Sequence, residues 1–394
     1  MYRGIVLTGT QGSGKMTIAR VLMQCGNFML VPAVTTRQRR DDDVQGEYSY
    51  LTRDEFDELA KSDELLTKVT YGGFSYGIRK QDVEQISENS VPILIVSPES
   101  ARHLTASFEL KSGYEHDNKY MTVFLDAPDG YLGERLGARG APTLLQSERE
   151  ERRTDREQQE QQEHAIYSLR NVDVDDTANL ILALWDLSSR GGVLSGRLIR
   201  LMLKCGMLLD GADLEQVSGA SYDLCLGDEY FKGGRLCSLA ENNPILQVAP
   251  YDYAIVTSRE GSVFPRDICA RFDLSNSLFC QGLILSNGPQ VDPGFRGPLF
   301  CLLFNTSSSP VMLKRGQHYA TLEFHRLIEP TALYAGKYRG KRLIDYLPAN
   351  ASRGAINELK KELEQVRKEA TSLQNVLWLL LTVLLAIIAL FVAR

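Results

Sequence analysis

Residues 3–21 read RGIVLTGTQGSGKMTIARV, and this stretch decides the fold of the N-terminal part. A short apolar strand runs straight into a glycine-rich loop, and the loop opens a helical pattern. Glycines let backbone N–H groups close around a phosphate, the helix N-terminus favours an anion, and Lys15 can reach the outer phosphates. We therefore predict a phosphate-binding loop for ATP, with Lys15 as a catalytic residue and with Gly9, Gly12, Ser13, Gly14, Lys15 and Thr17 as ATP-binding residues.

The residue after the loop lysine normally supplies the hydroxyl that binds Mg²⁺. Here that residue is Met16, whose thioether cannot ligate a hard cation. Thr17 lies one residue further along and would point elsewhere on a helix. The sequence therefore predicts nucleotide binding, leaves the use of Mg²⁺ open, and assigns no residue as a metal ligand.

The composition bounds the remaining possibilities. A chain of 394 residues with 43% hydrophobic and 24% charged residues suggests two or three folded domains. The net charge of -6 and the absence of a basic stripe argue against a nucleic-acid partner. The 7 cysteines are scattered without a CxxC pair, and the 5 histidines show no ligand spacing. We therefore expect reduced thiols and no Cys-based zinc site.

Several motifs after the loop occur in a recognisable order. They are TTRQRR at 35–40, GEY at 46–48, RDEF at 53–56, YGGFSYG at 71–77 and RLGARG at 135–140. In order and spacing they resemble guanylate kinase, and the resemblance covers residues 1–187. It implies an α/β kinase-like domain in which Arg37, Arg40, Tyr48 and Tyr76 hold the acceptor monophosphate and Arg139 acts catalytically from a lid.

The chemistry of these residues agrees with the resemblance. Two arginines can form a bidentate clamp on a phosphate, and two tyrosine hydroxyls add neutral donors. The arginines at 149, 152, 153 and 156 would also belong to the lid, although the acid-rich stretch 147–164 is equally typical of a solvated helix.

The chain departs from guanylate kinases where the base should bind. A carboxylate is expected shortly before the Tyr-Gly element, and that position is Thr67. Residues 94–99 read LIVSPE, where acidic residues should end the strand. A guanine site without carboxylates would lose specificity. The acceptor is therefore another nucleotide, or the clamp binds without catalysis.

The pattern changes after residue 192, where a predicted amphipathic helix over 194–209 precedes short strands. The runs SGASYDLCLG at 218–227 and QVDPGFRGPL at 290–299, with later pieces at 303–305, 315–317 and 321–324, resemble the dCTP deaminase and dUTPase family over residues 193–335. The resemblance implies a mainly-β fold, a homotrimer, and a second nucleotide pocket containing Asp223, Asp292, Phe295 and Gln317.

Deaminase or dUTPase activity is not expected from this second domain. Ser275 stands where these enzymes carry the arginine that holds phosphates. Leu302 stands where deaminases need a glutamate, and a leucine cannot transfer a proton. The sequence also lacks the His-x-Glu and Pro-Cys-x-x-Cys motifs of zinc deaminases. We expect a binding pocket or a trimerising scaffold.

The C-terminal part contains a predicted linker at 336–353, a coiled-coil stalk at 354–374 and a transmembrane helix at 375–393. The run from Val376 to Ala393 has Thr382 as its only polar residue and is roughly 27 Å long at about 1.5 Å per residue. Apolar residues at spacings of three and four precede it: Ile356, Leu359, Leu363, Val366, Ala370, Leu373 and Leu377. A buried core helix and a solvated helix are the respective alternatives.

These expectations combine into one architecture with two functional hypotheses. The predicted protein is a single-pass, C-terminally tail-anchored membrane protein with both domains cytosolic and with nucleotides as ligands. The first hypothesis is ATP-dependent phosphorylation of a nucleoside monophosphate. The second is a non-catalytic nucleotide sensor, suited to antiviral defence by analogy alone, that signals to its membrane tail; a structural trimer with vestigial pockets is a third possibility.

Overall fold

The computed structural model describes residues 2–10, 12–39, 43, 45–71, 73–105, 120–131, 152–157, 165–188, 190–286, 290–331, 334, 336–347 and 355–392. The first part of the chain contains β1 (Gly4–Gly9), α1 (Lys15–Cys25), β2 (Phe28–Leu30), β3 (Ala33–Thr35), β4 (Tyr48–Tyr50), α2 (Arg53–Lys61), β5 (Leu65–Tyr71), β6 (Phe74–Arg79), α3 (Lys80–Ser87), β7 (Val91–Ile95), α4 (Pro98–Thr105), β8 (Tyr120–Asp126), β9 (Tyr167–Arg170) and α5 (Val174–Asp186).

A parallel sheet forms the centre of this part, with strand order β2-β7-β1-β8-β9. Every residue of β1 is buried, as expected for a parallel strand covered on both faces. The carboxyl ends of the strands meet at one edge, and the glycine loop leaves β1 at that edge. A second sheet, in the order β4-β3-β6-β5, stands beside it. This is the α/β kinase-like architecture that the sequence predicted.

The second part contains β10 (Gly192–Val193), α6 (Gly196–Lys204), β11 (Leu208–Asp210), β12 (Ser221–Lys232), β13 (Arg235–Ser238), β14 (Ile245–Val248), β15 (Tyr253–Val263), β16 (Ile268–Leu274), α7 (Asn276–Cys280), β17 (Leu283–Ser286), β18 (Arg296–Asn305), β19 (Val311–Lys314) and β20 (His318–Arg326). It is followed by α8 (Leu343–Tyr346) and α9 (Ala355–Val392). The main sheet runs β10-β20-β12-β15-β18-β17, and β14 pairs with β19. The expected mainly-β domain is confirmed.

The helix predicted over 194–209 is wrong at its C-terminal end. α6 ends at Lys204, and Gly206 follows with φ +75°, a left-handed conformation that stops a helix. Leu208 and Leu209 instead pair with β15 as a strand. Their apolar character serves the β-domain core rather than the face of a longer helix.

The two parts share a buried junction. Helices α5 and α6 pack together, and the hydrophobic core runs through both parts without a break. At its centre, Tyr167 of β9 donates a hydrogen bond to Asp267 Oδ2 at 2.6 Å, and Arg326 Nε donates to the same oxygen at 2.9 Å. Arg326 Nη2 also donates to the Tyr167 hydroxyl at 2.9 Å. One charged, hydrogen-bonded cluster therefore joins the parallel sheet to the β-rich part.

The segment predicted as a linker is partly packed. Leu343 is buried, and Tyr346 stacks on Tyr338 with ring centroids 4.7 Å apart and lies against Phe300 at 4.5 Å. The Gly340 N–H donates to Arg296 O at 2.8 Å. The part of this segment that the structure describes therefore covers the first half of β18.

The predicted stalk and apolar run lie on one continuous helix, α9, of 38 residues. Its portion Lys361–Ile387 contains an 18-residue stretch with mean hydropathy 1.8, none of it buried against the protein, so by length and composition the helix could cross a membrane. At about 1.5 Å per residue the whole helix is roughly 57 Å long. No break separates the charged half from the apolar half.

Candidate functional site

A cleft of about 760 Å³ opens at the carboxyl edge of the parallel sheet. It brings together five residues that the sequence predicted as functional: Gly9, Lys15, Arg37, Tyr48 and Tyr76. The P-loop lysine and the proposed acceptor clamp therefore face one space. Arg40 and Arg139, the other predicted members, lie outside the described residues.

The glycine loop has the geometry that phosphate binding requires. Gly12 and Gly14 adopt φ of +73° and +88°, and Gly9 has φ +132°. A Cβ on Gly9 would lie 1.9 Å from Leu125 O, so only glycine fits beside β8. The Lys15 ammonium donates to the carbonyls of Gly9 and Thr10, both at 2.9 Å, which folds it back over the loop. A phosphate in the loop would compete for this ammonium group.

Met16 and Thr17, which follow the loop lysine, determine whether the loop offers a side-chain ligand to Mg²⁺. Met16 lines the cleft, whereas Thr17 is exposed on α1 and does not line it. The loop thus presents a thioether where a hydroxyl would ligate Mg²⁺. The described residues contain no cluster of three or more His, Cys, Asp or Glu side chains that could hold a metal. At position 16 the described cleft therefore offers no hydroxyl ligand for Mg²⁺.

The clamp residue Arg37 is held in a fixed orientation. Its Nη1 and Nη2 donate to the two carboxylate oxygens of Asp43 at 2.7 and 2.8 Å, and both side chains are buried. The guanidinium carbon lies 4.9 Å from the ring centroid of Tyr48, and the Tyr50 hydroxyl donates to Asp43. The hydrogen bond that Arg37 donates to Asp43 raises the pKa of Arg37, and burial raises the pKa of Tyr48 to about 12. Both groups therefore keep their protons at neutral pH and can donate hydrogen bonds.

The acidic residue at the end of β8 was missed by sequence reasoning. Asp126 accepts a hydrogen bond from Thr10 Oγ1 at 2.8 Å and a salt bridge from Arg156 Nε at 2.8 Å. Arg152 is almost fully buried, and its Nη2 donates to Ala127 O at 2.7 Å. The hydrogen bond from Arg156 lowers the pKa of Asp129, the other acid of this cluster. Arg152 and Arg156, two of the predicted lid arginines, are therefore held in place beside the glycine loop by these hydrogen bonds and salt bridges.

A signal for Asp126 was present in the sequence. An acid that directly follows a buried strand next to the loop strand must lie at the same edge as the loop, because all strands of the sheet are parallel. Burial of Arg152 could not be foreseen, since the stretch around it is rich in charge.

A second cavity of about 710 Å³ lies on the β-rich part. Asp292 lines it, together with Arg271, Asp273, Glu323 and His325. The other predicted pocket residues lie elsewhere. Asp223 is 3.5 Å from His318 Nε2, Phe295 packs edge-on against Tyr334, and Gln317 Oε1 accepts from Lys314 N. Among the described residues of one chain, Asp292 lines this cavity, and Asp223, Phe295 and Gln317 do not.

Comparisons with known proteins match the N-terminal part and the β-rich part of the chain to two different families. The family model "Guanylate kinase" matches residues 1–182, and the model "dCTP deaminase-like" matches residues 193–327. A dCTP deaminase of Thermococcus gammatolerans is 33% identical over 139 residues, which are 35% of this chain and 87% of that protein. A guanylate kinase of Mesomycoplasma hyopneumoniae is 30% identical over 151 residues, which are 37% of this chain and 75% of that protein.

The chain belongs to both families, one through each domain. Among solved structures, the guanylate kinase of Anaplasma phagocytophilum is 19% identical, covers 48% of this chain and 87% of its own, and has a TM-score of 0.36. The fusion of a guanylate kinase domain with a dCTP deaminase-like domain supports nucleotide handling as the general function of the protein.

The guanylate kinase domain departs from its expected base site, as its sequence indicated. Thr67, where one carboxylate was expected, lines the cleft, as do Ile95 and Ser97 of the stretch 94–99 where further acids were expected. Ser97 is moreover engaged at the start of α4, where its Oγ accepts from Ser100 N at 3.2 Å. The part of the cleft around Lys15 and Arg37 is thus built from charged and hydroxyl groups, and the part around Thr67 and Ile95 from threonine, serine and aliphatic side chains.

The two residues at which the dCTP deaminase-like domain differs from active enzymes of its family, Ser275 and Leu302, both lie in ordered elements of the fold. Ser275 is buried at the start of α7, with its N–H donating to Tyr319 O at 3.1 Å. Leu302 lies within β18, paired with Ile255 and Ser286 of the neighbouring strands. Ser275 therefore supplies no cation for a phosphate, and Leu302 supplies no proton-transfer group.

Proposed function

We propose that the guanylate kinase domain transfers the γ-phosphoryl group of ATP to a nucleoside monophosphate. The observation that carries the proposal is the common cleft, in which the loop lysine and the clamp residues Arg37, Tyr48 and Tyr76 face each other. In the proposed binding mode, a phosphate of ATP would bind the glycine loop and the acceptor phosphate would bind opposite it.

The reaction needs positioning and charge more than covalent chemistry. An oxygen of the acceptor phosphate attacks the γ-phosphorus, the bond to the β–γ bridging oxygen breaks, and ADP leaves. Lys15 neutralises charge that develops on the transferred group, while Arg37 and the two tyrosines hold the acceptor in line. Arg139 would act from the lid, and Arg40 would complete the clamp.

Mg²⁺ is the metal that the guanylate kinase family implies. Because Met16 occupies the ligand position, we assign no step to the metal through the described residues. The nucleotide itself supplies phosphate oxygens that can bind Mg²⁺ without a protein hydroxyl. Catalysis is therefore retained but slowed relative to a loop with serine at this position.

We infer that the dCTP deaminase-like domain binds a nucleotide or assembles the protein, without deaminating. Its predicted pocket residues are separated within one chain, which suits a pocket completed between copies. The homotrimer implied by the sequence resemblance would supply those copies, and Asp292 would be its pocket carboxylate.

We propose that α9 anchors the protein in a membrane and associates with its copies. Leu363, Val366 and Leu373 are each at least 63% exposed and share one face of the helix. Glu362 and Arg367 flank that face and would pair between neighbouring parallel helices. Parallel helices are also what a shared membrane would require, with both nucleotide domains on the cytosolic side.

The second candidate function is a non-catalytic nucleotide sensor. Two observations favour it: each domain has lost part of a catalytic set, and the buried junction at Tyr167 connects both domains. In that case nucleotide binding would change the state of the membrane helix, and the nucleotide would not be converted to product.

The test uses the full chain in detergent micelles with Mg-ATP and each common ribo- and deoxyribonucleoside monophosphate, with products separated chromatographically. Formation of one diphosphate supports the kinase. Nucleotide binding without any turnover supports the sensor. Met16→Ser should raise turnover several-fold in the kinase, because it restores a hydroxyl ligand. An unchanged rate would show that the loop hydroxyl is not limiting.

A further inference from the structure

The inner wall of the kinase cleft carries information about the acceptor base. Beyond the clamp, the wall is formed by Thr67, Val69 and Ile78 of the β5–β6 hairpin and by Ile95 and Val96 at the end of β7. Thr67 and Ile78 are opposite each other in the strand register, as are Val69 and Tyr76. The clamp tyrosine therefore adjoins this wall directly, and a base attached to a clamped phosphate would reach it.

Among the described residues, the carboxylates that line the cleft lie outside this wall. The acids that line the cleft are Asp43, Glu47, Glu99 and Asp155. Asp43 is committed to Arg37, and Glu47 adjoins the clamp residue Tyr48. Asp155 belongs to the helical segment 152–157, and Glu99 is exposed on the first turn of α4. None of the four forms part of the aliphatic wall.

This wall is a poor partner for guanine. The Watson–Crick edge of guanine presents an N1–H and an N2 amino group, which need acceptors once they leave water. Thr67, buried beside Ile78, offers these two donors one hydroxyl oxygen, where a carboxylate would offer two oxygens. Cytosine and adenine each carry an amino group with two donors. Thymine and uracil carry a single N3–H between two carbonyl oxygens.

We propose that the acceptor is a pyrimidine monophosphate of the thymine or uracil type, with thymine preferred. The Thr67 hydroxyl pairs with the N3–H or a neighbouring carbonyl, since a hydroxyl is both donor and acceptor. Val69, Ile78, Ile95 and Val96 contact the ring and its 5-methyl group. The inference rests on the proposed kinase function, because it names the substrate class of the same cleft.

The first test is a set of kcat/KM values for the full chain in detergent micelles with Mg-ATP. The acceptors are TMP, dTMP, UMP, dUMP, CMP, dCMP, AMP, dAMP, GMP and dGMP. We expect thymine and uracil acceptors to exceed guanine acceptors by about 10²-fold, since an unpaired polar edge is rejected strongly. A guanine, adenine or cytosine preference overturns the inference and leaves the kinase proposal standing.

The second test places a carboxylate in the wall. Thr67→Glu should lower kcat/KM for dTMP and raise it for GMP, so that their ratio shifts at least about tenfold toward GMP. The matched control is Lys68→Glu, which places the same carboxylate on the opposite face of β5, where Lys68 is exposed. An equal shift in both variants, or none in Thr67→Glu, contradicts the assigned role of the wall.

Absence of turnover with every acceptor defeats the kinase proposal but still tests the wall. Calorimetric titration of dTMP and GMP into the folded chain then measures binding directly. Tighter binding of dTMP supports the inference. Equal affinity, or tighter binding of GMP, overturns it.

Discussion

The buried junction between the two domains permits a quantitative prediction. Asp267 and Arg326 are 1% and 7% exposed, and Tyr167 is fully buried between them. Asp267→Asn removes the counter-charge and leaves the Arg326 guanidinium buried, which costs about 3–5 kcal/mol. Tyr167→Phe keeps that charge pair and removes only a hydroxyl bonded to charged partners, which costs about 1.5–3 kcal/mol.

The assay is thermal and urea unfolding of the full chain in detergent micelles, monitored by circular dichroism. Because the core is continuous across the junction, we expect both domains to unfold together in the wild type. Asp267→Asn should lower the midpoint temperature by roughly 10 °C, at about 2–4 °C per kcal/mol. Tyr167→Phe should lower it by about half as much.

The control is another charge pair between the same domains. Lys204 Nζ lies 2.9 Å from Asp176 Oδ2, but this pair is largely exposed. Lys204→Ala should therefore shift the midpoint less than either junction variant. A larger effect of Lys204→Ala, or equal effects of Asp267→Asn and Tyr167→Phe, would refute the assignment of stability to the buried charge.

Three further predictions concern single groups. Asp43→Asn should raise the acceptor KM about tenfold with little change in kcat, because an amide cannot accept both guanidinium N–H groups of Arg37; a lowered KM in steady-state kinetics would instead mean that Asp43 competes with the acceptor. In the native protein at pH 8, a thiol reagent should modify Cys25 and Cys280 rapidly, since both are exposed, and spare Cys301, whose pKa is raised to about 12 by burial; rapid loss of all thiols would contradict this packing. Burial raises the pKa of Tyr48 to about 12, so its contribution to stability is complete below pH 10 and is lost as pH rises from 10 to 12; urea unfolding of Tyr48→Phe over this range should show a weaker loss, and parallel curves would contradict it.

Much of the architecture could be predicted because local patterns and tertiary structure agree. The strand, glycine loop and lysine at residues 3–15 specify their own conformation, and the structure has β1, the loop and α1 where the sequence places them. The clamp residues Arg37, Tyr48 and Tyr76 were predicted from motif order, and they do line one cleft. Whether they bind a nucleotide stays a prediction.

Other features depend on contacts between distant segments. Asp126 reaches the glycine loop only because β8 pairs with β1, and Asp43 reaches Arg37 only because its loop folds over that side chain. The junction joins Tyr167 to residues 100 and 159 positions away, and no short-range pattern encodes such a pairing. The end of α6 was misjudged because the apolar Leu208 and Leu209 suit a helix face and a buried strand equally well.

Transfer of label from [γ-³²P]ATP tests the central claim most directly. The full chain in detergent micelles is incubated with labelled Mg-ATP and each nucleoside monophosphate, alongside Lys15→Ala. The account predicts label in one nucleoside diphosphate and a loss of at least about 10²-fold in Lys15→Ala, because the lysine stabilises charge on the transferred group. Absence of labelled diphosphate from a folded, ATP-binding protein, or equal transfer by both proteins, would contradict it.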